Sequence, residues 1–269
     1  VVGFLASAVL VVSVILPSPS PTEPRGIYDR STRGIRIYLA TPRLRGLLAL
    51  NFAAAAGGAM VLVNTVVLVR GELGLPETAL AWTMGAFGAG SMFAALVLPK
   101  LLDQVPDRPV MLTGAIILTS ALLLLAALIL GFGLSWPLLL AAWMAAGSGY
   151  SAVLTPSGRL LKRSAHPADR PAIFAAQFAL SHACWLVTYP LAGVLMTMAG
   201  APVALLSLAL LSAFGIAVAV CLWPADDPEV ISHRHDDLPA DHSHLVEHGG
   251  GRVHAHAAVI DALHRKWPG

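Results

Sequence analysis

Apolar positions along this chain gather into six long runs, roughly 46–70, 79–98, 110–131, 137–157, 171–198 and 202–223, and none of them holds an acidic residue at its centre. Glu23, Asp29, Glu72, Glu77, Asp103, Asp107 and Asp169 lie in connectors or at run ends, and the remaining acids follow from Asp226 onward. Each run is close to the ~20 residues that span a ~30 Å hydrocarbon layer. In lipid a segment of that length satisfies its own backbone only as a helix, short of a closed barrel, and these runs lack the alternation of barrel strands. The pattern predicts an all-α, polytopic membrane protein built as a six-helix transmembrane bundle. A shorter apolar run, residues 1–16, opens the chain without the basic flank of a signal peptide. It is expected to be the truncated end of a further membrane helix.

Composition strengthens this picture. Apolar residues make up 57% of the chain and charged residues 12%, about half the usual charged share. So much apolar surface points to lipid as the main partner, and no nucleic-acid partner is expected. Cys184 and Cys221 fall inside apolar runs, which argues against a disulfide framework. The charges that exist are segregated. Basic residues crowd alternate connectors: Arg25, Arg30, Arg33, Arg36, Arg43 and Arg45, then Lys100 and Arg108, then Arg159, Lys162, Arg163 and Arg170. The positive-inside rule therefore places 17–45, 99–109 and 158–170 in the cytoplasm, and six crossings return the tail to the same side. Four parts are expected: a truncated helix (1–16), a basic central loop with an amphipathic stretch (17–45), the bundle (46–223) and a cytoplasmic tail (224–269), in a cell inner (plasma) membrane.

Local signals refine the elements. Pro137, Pro171 and Pro202 stand in first turns, where the missing N–H costs nothing. Pro190 lies inside the fifth run and is expected to kink it. The small residues Ala53–Gly58, with Gly85, Ala86, Gly88 and Gly90, are expected to let backbones approach closely.

The connector LPKLLDQVPDRPVML, Leu98 to Leu112, carries Asp103 and, ahead of the next helix, Arg108. It resembles the motif that links the second and third helices, and again the eighth and ninth, of major facilitator superfamily transporters. Pro99 or Lys100 replaces the opening glycine, and Gln104 stands where a basic residue is usual. The resemblance implies a cytoplasmic latch made by Asp103 and Arg108. With the run layout it implies the C-terminal half of such a transporter, helices seven to twelve after the end of helix six. The other six-helix half of the same protein would be its partner, with substrate held at the midplane between them.

Polar residues inside apolar runs are the candidate substrate pathway: Asn51, Asn64, Tyr150, Gln177, Ser181, His182, Thr188 and Tyr189. Helix-to-helix hydrogen bonding is the plainer reading of any one of them. His182 can serve as a proton acceptor, but on a helix it cannot share an ion with Cys184, because i and i+2 side chains diverge. Gly147-Ser148-Gly149 with His182 faintly resembles the Ser/His pair of intramembrane rhomboid proteases. A close-packing patch is the stronger reading, and no enzyme is expected.

Eight of the ten histidines lie between His233 and His264. In an extended segment the pairs His233/His235, His242/His244 and His254/His256 each present two imidazoles on one face. With His248 they form the candidate ligands for Ni, Co or Zn, although no cofactor is required. Val253, Ala257, Ile260, Leu263 and Trp267 fall near one face if the last stretch is helical, and are expected to dock on the bundle or its interface. The tail resembles the histidine-rich ends of bacterial nickel-resistance permeases. The expectation is a secondary exporter of a divalent metal such as nickel or cobalt, with proton linkage left open. Efflux of a small organic solute stays open, as do a membrane metal sensor and an intramembrane enzyme.

Overall fold

The computed structural model describes residues 2–14, 27–228, 230–235, 238–239, 242–247, 251–257, 259–260, 263–264 and 267. The apolar runs are helical throughout. After α1 (Val2–Ser13) and α2 (Ile27–Ala40) come α3 (Pro42–Val66, extended by a π-helical turn Val67–Glu72), α4 (Glu77–Leu102), α5 (Asp107–Phe132) and α6 (Trp136–Leu154). A short α7 (Ser157–Arg163) and a 3-10 turn (Pro167–Asp169) lead into α8 (Arg170–Leu222). The tail forms β1 (Val230–Arg234), α9 (Ser243–Glu247) and β2 (Val253–Ala257).

At 53 residues α8 would reach ~80 Å if straight, far beyond one hydrocarbon layer. It is two arms. Gly200 breaks it with φ 79° and ψ 175°, a region essentially reserved for glycine. The expected kink at Pro190 is not where α8 departs from helical dihedrals; the break comes ten residues later. Arm one rises along α3, where Trp185 abuts Gly58 and Ala192 accepts from Asn64. Arm two descends, with Gly215 against Ala49 and Trp223 against Gly46. The bundle therefore has six crossings, as the apolar runs predict.

The central element is α3. Within the most apolar stretch of each helix, 72% of α3 is buried against 17% of α4. Glycines bring backbones together at two crossings, α4–α6 and α5–α6. A Cβ at Gly90 would lie 1.9 Å from the Met144 carbonyl oxygen, and one at Gly147 would lie 2.0 Å from that of Phe87. Gly149 meets Gly114 across the α5–α6 crossing in the same way. Gly85 and Gly88 face open space, so of the α4 glycines expected to pack, only Gly90 does. Several buried polar groups pair between helices, as a water-free interior favours: Trp143 donates to Thr65 at 2.7 Å, Trp136 to Thr83 at 2.9 Å, and Thr119 bonds Ser212 at 2.7 Å.

The basic connectors converge on one end. Arg33 of α2 pairs with Asp169 at 2.6 Å, Arg159 with Asp107 at 2.6 Å, and Arg108 donates to the Trp223 carbonyl at 2.9 Å. That juxtaposition is what alternating charge along the chain requires.

The tail departs from one expectation. Residues 253–257 are a strand, not the start of a helix, because β2 pairs antiparallel with β1 in the register His233↔His254. Ile260 and Trp267 nevertheless pack on the bundle's hydrophobic core.

Candidate functional site

Two places combine polar chemistry with a reason to be there: a half-buried aromatic row on the bundle, ending at the exposed Tyr189, and a histidine cluster in the tail.

The row is built around a glycine. A Cβ at Gly58 would sit 2.6 Å from the Trp185 ring and 3.2 Å from that of Tyr150, so only glycine leaves both rings where they are. Phe87 of α4, Tyr150 of α6, and Trp185 and Tyr189 of α8 then follow one another with ring centroids 5.6, 6.2 and 4.7 Å apart. Spacings in that range are those of favourable aromatic pairs. Tyr150 and Tyr189 are in the predicted set. Phe87 and Trp185 are not, although Trp185 lies one turn before Tyr189 and must share its face.

The other polar candidates scatter. Buried Asn51 donates to Leu47 of its own helix at 2.9 Å. Asn64 ties α3 to α8 through the Ala192 carbonyl at 3.1 Å. Gln177 accepts from Tyr38 of α2, whose pKa burial raises well above the usual tyrosine value, keeping it a donor. Ser181 bonds the Phe178 carbonyl at 3.0 Å. His182 is exposed, with Nδ1 2.7 Å from the same carbonyl. Thr188 is fully buried, and its hydroxyl has no hydrogen-bond partner among the described residues. Ser148 bonds the Gly90 and Met144 carbonyls, each at 3.1 Å, inside the close-packed patch.

At the basic end, Asp103 is exposed and Arg108 turns to Trp223. The carboxylate that gathers cations is Asp107, the first residue of α5, 3% exposed. It accepts from Arg159 Nε at 2.9 Å and Nη2 at 2.6 Å, and Arg163 Nε lies 3.5 Å away. A second carboxylate, Asp227, accepts from Arg163 at 3.0 Å and Trp223 at 3.1 Å, with buried Arg43 at 3.5 Å. Asp107, Arg159, Arg163 and Asp227 line a cavity of about 800 Å³ that also takes in Asp103, Gln104 and Arg108.

The tail gathers six imidazoles from four places in the chain. Strand geometry puts His233 on the same face as its cross-strand partner His254, and i, i+2 alternation adds His256 to that face. His235 follows β1, His244 comes from α9, and His264 arrives from beyond β2. The ligating atoms of His233, His235, His244 and His264 all lie within 4.8 Å of one another, as do those of His233, His244, His254 and His256. Three Nε2–Nε2 separations are 3.0–3.1 Å: His235–His264, His233–His264 and His244–His254. Metal–imidazole bonds of ~2.1 Å would place neighbouring nitrogens ~3.0–3.4 Å apart, depending on geometry, so the donor set fits a divalent transition ion. Burial also suits the task. It pushes His244 down to about 4, helped by the His256, His264, His254 and His235 charges, and it lowers His233 against an opposing hydrogen bond to Ile231. Lowered values favour neutral imidazole, the form that binds metal.

His264 is absent from the predicted ligand set and belongs to this cluster. His242 is in neither group of four, and its Nδ1 accepts the His244 amide at 3.3 Å; His248 lies outside the described residues. Nothing in residue spacing could have selected His264, since β1–β2 pairing decides which imidazoles meet.

No curated protein matches the chain. Residues 47–258 match the family model for the Major Facilitator Superfamily, so most of the bundle and much of the tail fall within one family pattern. With six apolar crossings in the same span, the chain is a member of the Major Facilitator Superfamily, a multi-pass membrane transporter.

Proposed function

We propose that the protein is a secondary active exporter of a divalent transition metal, nickel or cobalt in class, working by alternating access. The observation that carries this reading is the convergence of six imidazoles beside the basic end of a transport bundle. Nitrogen-only ligand sets favour Ni²⁺, Co²⁺, Zn²⁺ and Cu²⁺ over Mg²⁺ or Ca²⁺. The basic end is the cytoplasmic one by the positive-inside rule, in an inner (plasma) membrane, so the tail meets metal on the side from which export begins. The bundle works against a second six-helix bundle of the same protein, and substrate passes between them. The apolar runs hold no carboxylate at membrane depth, so His182 is the group within them suited to proton coupling.

A second reading draws support from the aromatic row. Phe87, Tyr150, Trp185 and Tyr189 offer rings rather than ligands, which suits an organic solute or cation, with the tail binding metal incidentally. Uptake of radiolabelled Ni²⁺ into everted membrane vesicles separates the two. Energised accumulation of Ni²⁺ by the intact protein, above that of protein-free membranes, supports metal export. Accumulation equal to that of protein-free membranes, with aromatic cations transported instead, overturns it. His182→Ala with unchanged pH-gradient dependence removes His182 from coupling.

A further inference from the structure

The histidine cluster does not hang free of the bundle. Three residues after His264, a cluster member bonded to both His235 and His233, the Trp267 ring lies under the Arg43 guanidinium, 4.7 Å from it. Between β2 and that tryptophan, Val259 and Ile260 are buried, and Ile260 joins the bundle core. Arg43 is the second residue of α3, 2% exposed, and it reaches Asp227 just past α8. Asp227 in turn holds Arg163 of α7, which reaches Asp107 at the start of α5. Val259 and Ile260 before His264 and Trp267 after it therefore flank a histidine of the cluster, and Trp267 stacks on the residue that ties the basic ends of α3, α7, α8 and α5.

Resting on the metal reading of the cluster, we propose that a transition ion bound there clamps the C-terminal segment onto Arg43 and so holds the basic end of the bundle together. The physical basis is linkage. His254 and His256 precede the docked segment and His264 lies within it, so an ion shared by these rings closes a loop of about ten residues. Holding His264 in the cluster keeps Trp267, three residues further on, near Arg43, so undocking that ring gains less freedom while the ion is bound. The stacked guanidinium is already buried, and a cation over an indole in a dry setting is held more strongly than at an exposed site. A transporter must move the ends of its helices to expose its path. Metal in the tail therefore biases the bundle toward the arrangement seen here, which makes the tail a metal-dependent brake in addition to a capture site.

Amide hydrogen exchange on the full chain in detergent, with and without Zn²⁺ or Ni²⁺ alone, tests this. Metal at 100 times its Kd should slow exchange in 253–257 by about 100-fold, if opening there requires release, and should slow exchange at the start of α3, 42–46, several-fold. In Trp267→Ala, metal should still protect 253–257 but no longer reach α3. Protection confined to the tail in the unmutated chain overturns the brake and leaves the metal site standing. Protection of α3 that persists in Trp267→Ala also overturns it. An absence of metal protection anywhere overturns the metal reading itself. The comparison in the unmutated chain stands whether or not the variant folds.

Discussion

Asp107 shows how much a single carboxylate can organise at a helix start. It is buried beside two guanidiniums at the start of α5, the helix end where a carboxylate is stabilising. Asp107→Asn keeps the size and removes the charge, leaving Arg159 and Arg163 without their shared counter-ion. The expected loss is about 2 kcal/mol of bundle stability, the range for hydrogen bonds to charged groups, since Arg159 is partly solvated. Asp103→Asn, at an exposed position, should change stability by less than about 0.5 kcal/mol. Chemical unfolding of both variants in one detergent checks the contrast. A motif reading selects Asp103, because both acids lie within one turn and the sequence does not say which is covered. Burial of Asp107 depends on Arg159 arriving from α7, 52 positions away, and no local pattern encodes that meeting. Residues such as Tyr150 and Tyr189 were legible because a polar tip in an apolar run stands out. Phe87 and Trp185 were not, because in such a run they read as ordinary lipid-facing bulk.

At the scale of elements, glycines divide into those that hold helices close and those that do not. Gly90→Ala places a methyl into the Met144 carbonyl of α6, a backbone that cannot rotate aside. The α4–α6 crossing must open, at a cost of about 1–3 kcal/mol or failure to assemble. Gly85→Ala and Gly88→Ala meet open space and should be neutral, or stabilising by up to about 1 kcal/mol through helix propensity. Gly200→Ala should destabilise by about 1–3 kcal/mol, because its backbone region is closed to other residues. Thermal unfolding of the four variants ranks them; equal values for Gly85 and Gly90 would refute the crossing. Helix number and limits were legible almost throughout, since apolar length alone separates spans from connectors. The turn between the last two spans was legible from Pro202 and the composition break, but its sharpness is set by Gly200. Which face of α4 meets α6 was not legible. Gly85 and Gly88 share one face and Gly90 lies on another, and only the partner's position decides between them.

For the whole molecule, the two candidate sites make separable demands. The aromatic row stands on the bundle and the histidine cluster beyond the helix ends, so the proposed roles, selection by the row and collection or sensing by the cluster, can be tested apart. Removing residues 230–269 spares Asp227 and the ion pairs at the basic end while deleting all six clustered imidazoles. That truncation should abolish tight Ni²⁺ binding by the full chain, yet leave vesicle transport measurable at saturating metal. Its transport at low metal should fall if the tail feeds the path, and should rise if restraint by the docked segment dominates. Trp185→Ala should do the reverse, keeping metal affinity while transport falls about tenfold, roughly the upper end of what one aromatic contact contributes. Calorimetry and vesicle uptake on the same preparations measure both quantities. If the truncation removes all transport from an intact, well-folded bundle, the tail is a step of the path itself. If Trp185→Ala leaves transport untouched, the row is packing, and the route lies elsewhere on the bundle. Since the two alterations touch no common residue, their effects should add in the double variant to within about 0.5 kcal/mol. A larger departure would mean that docking of Trp267 on Arg43 is felt along α3 as far as Gly58.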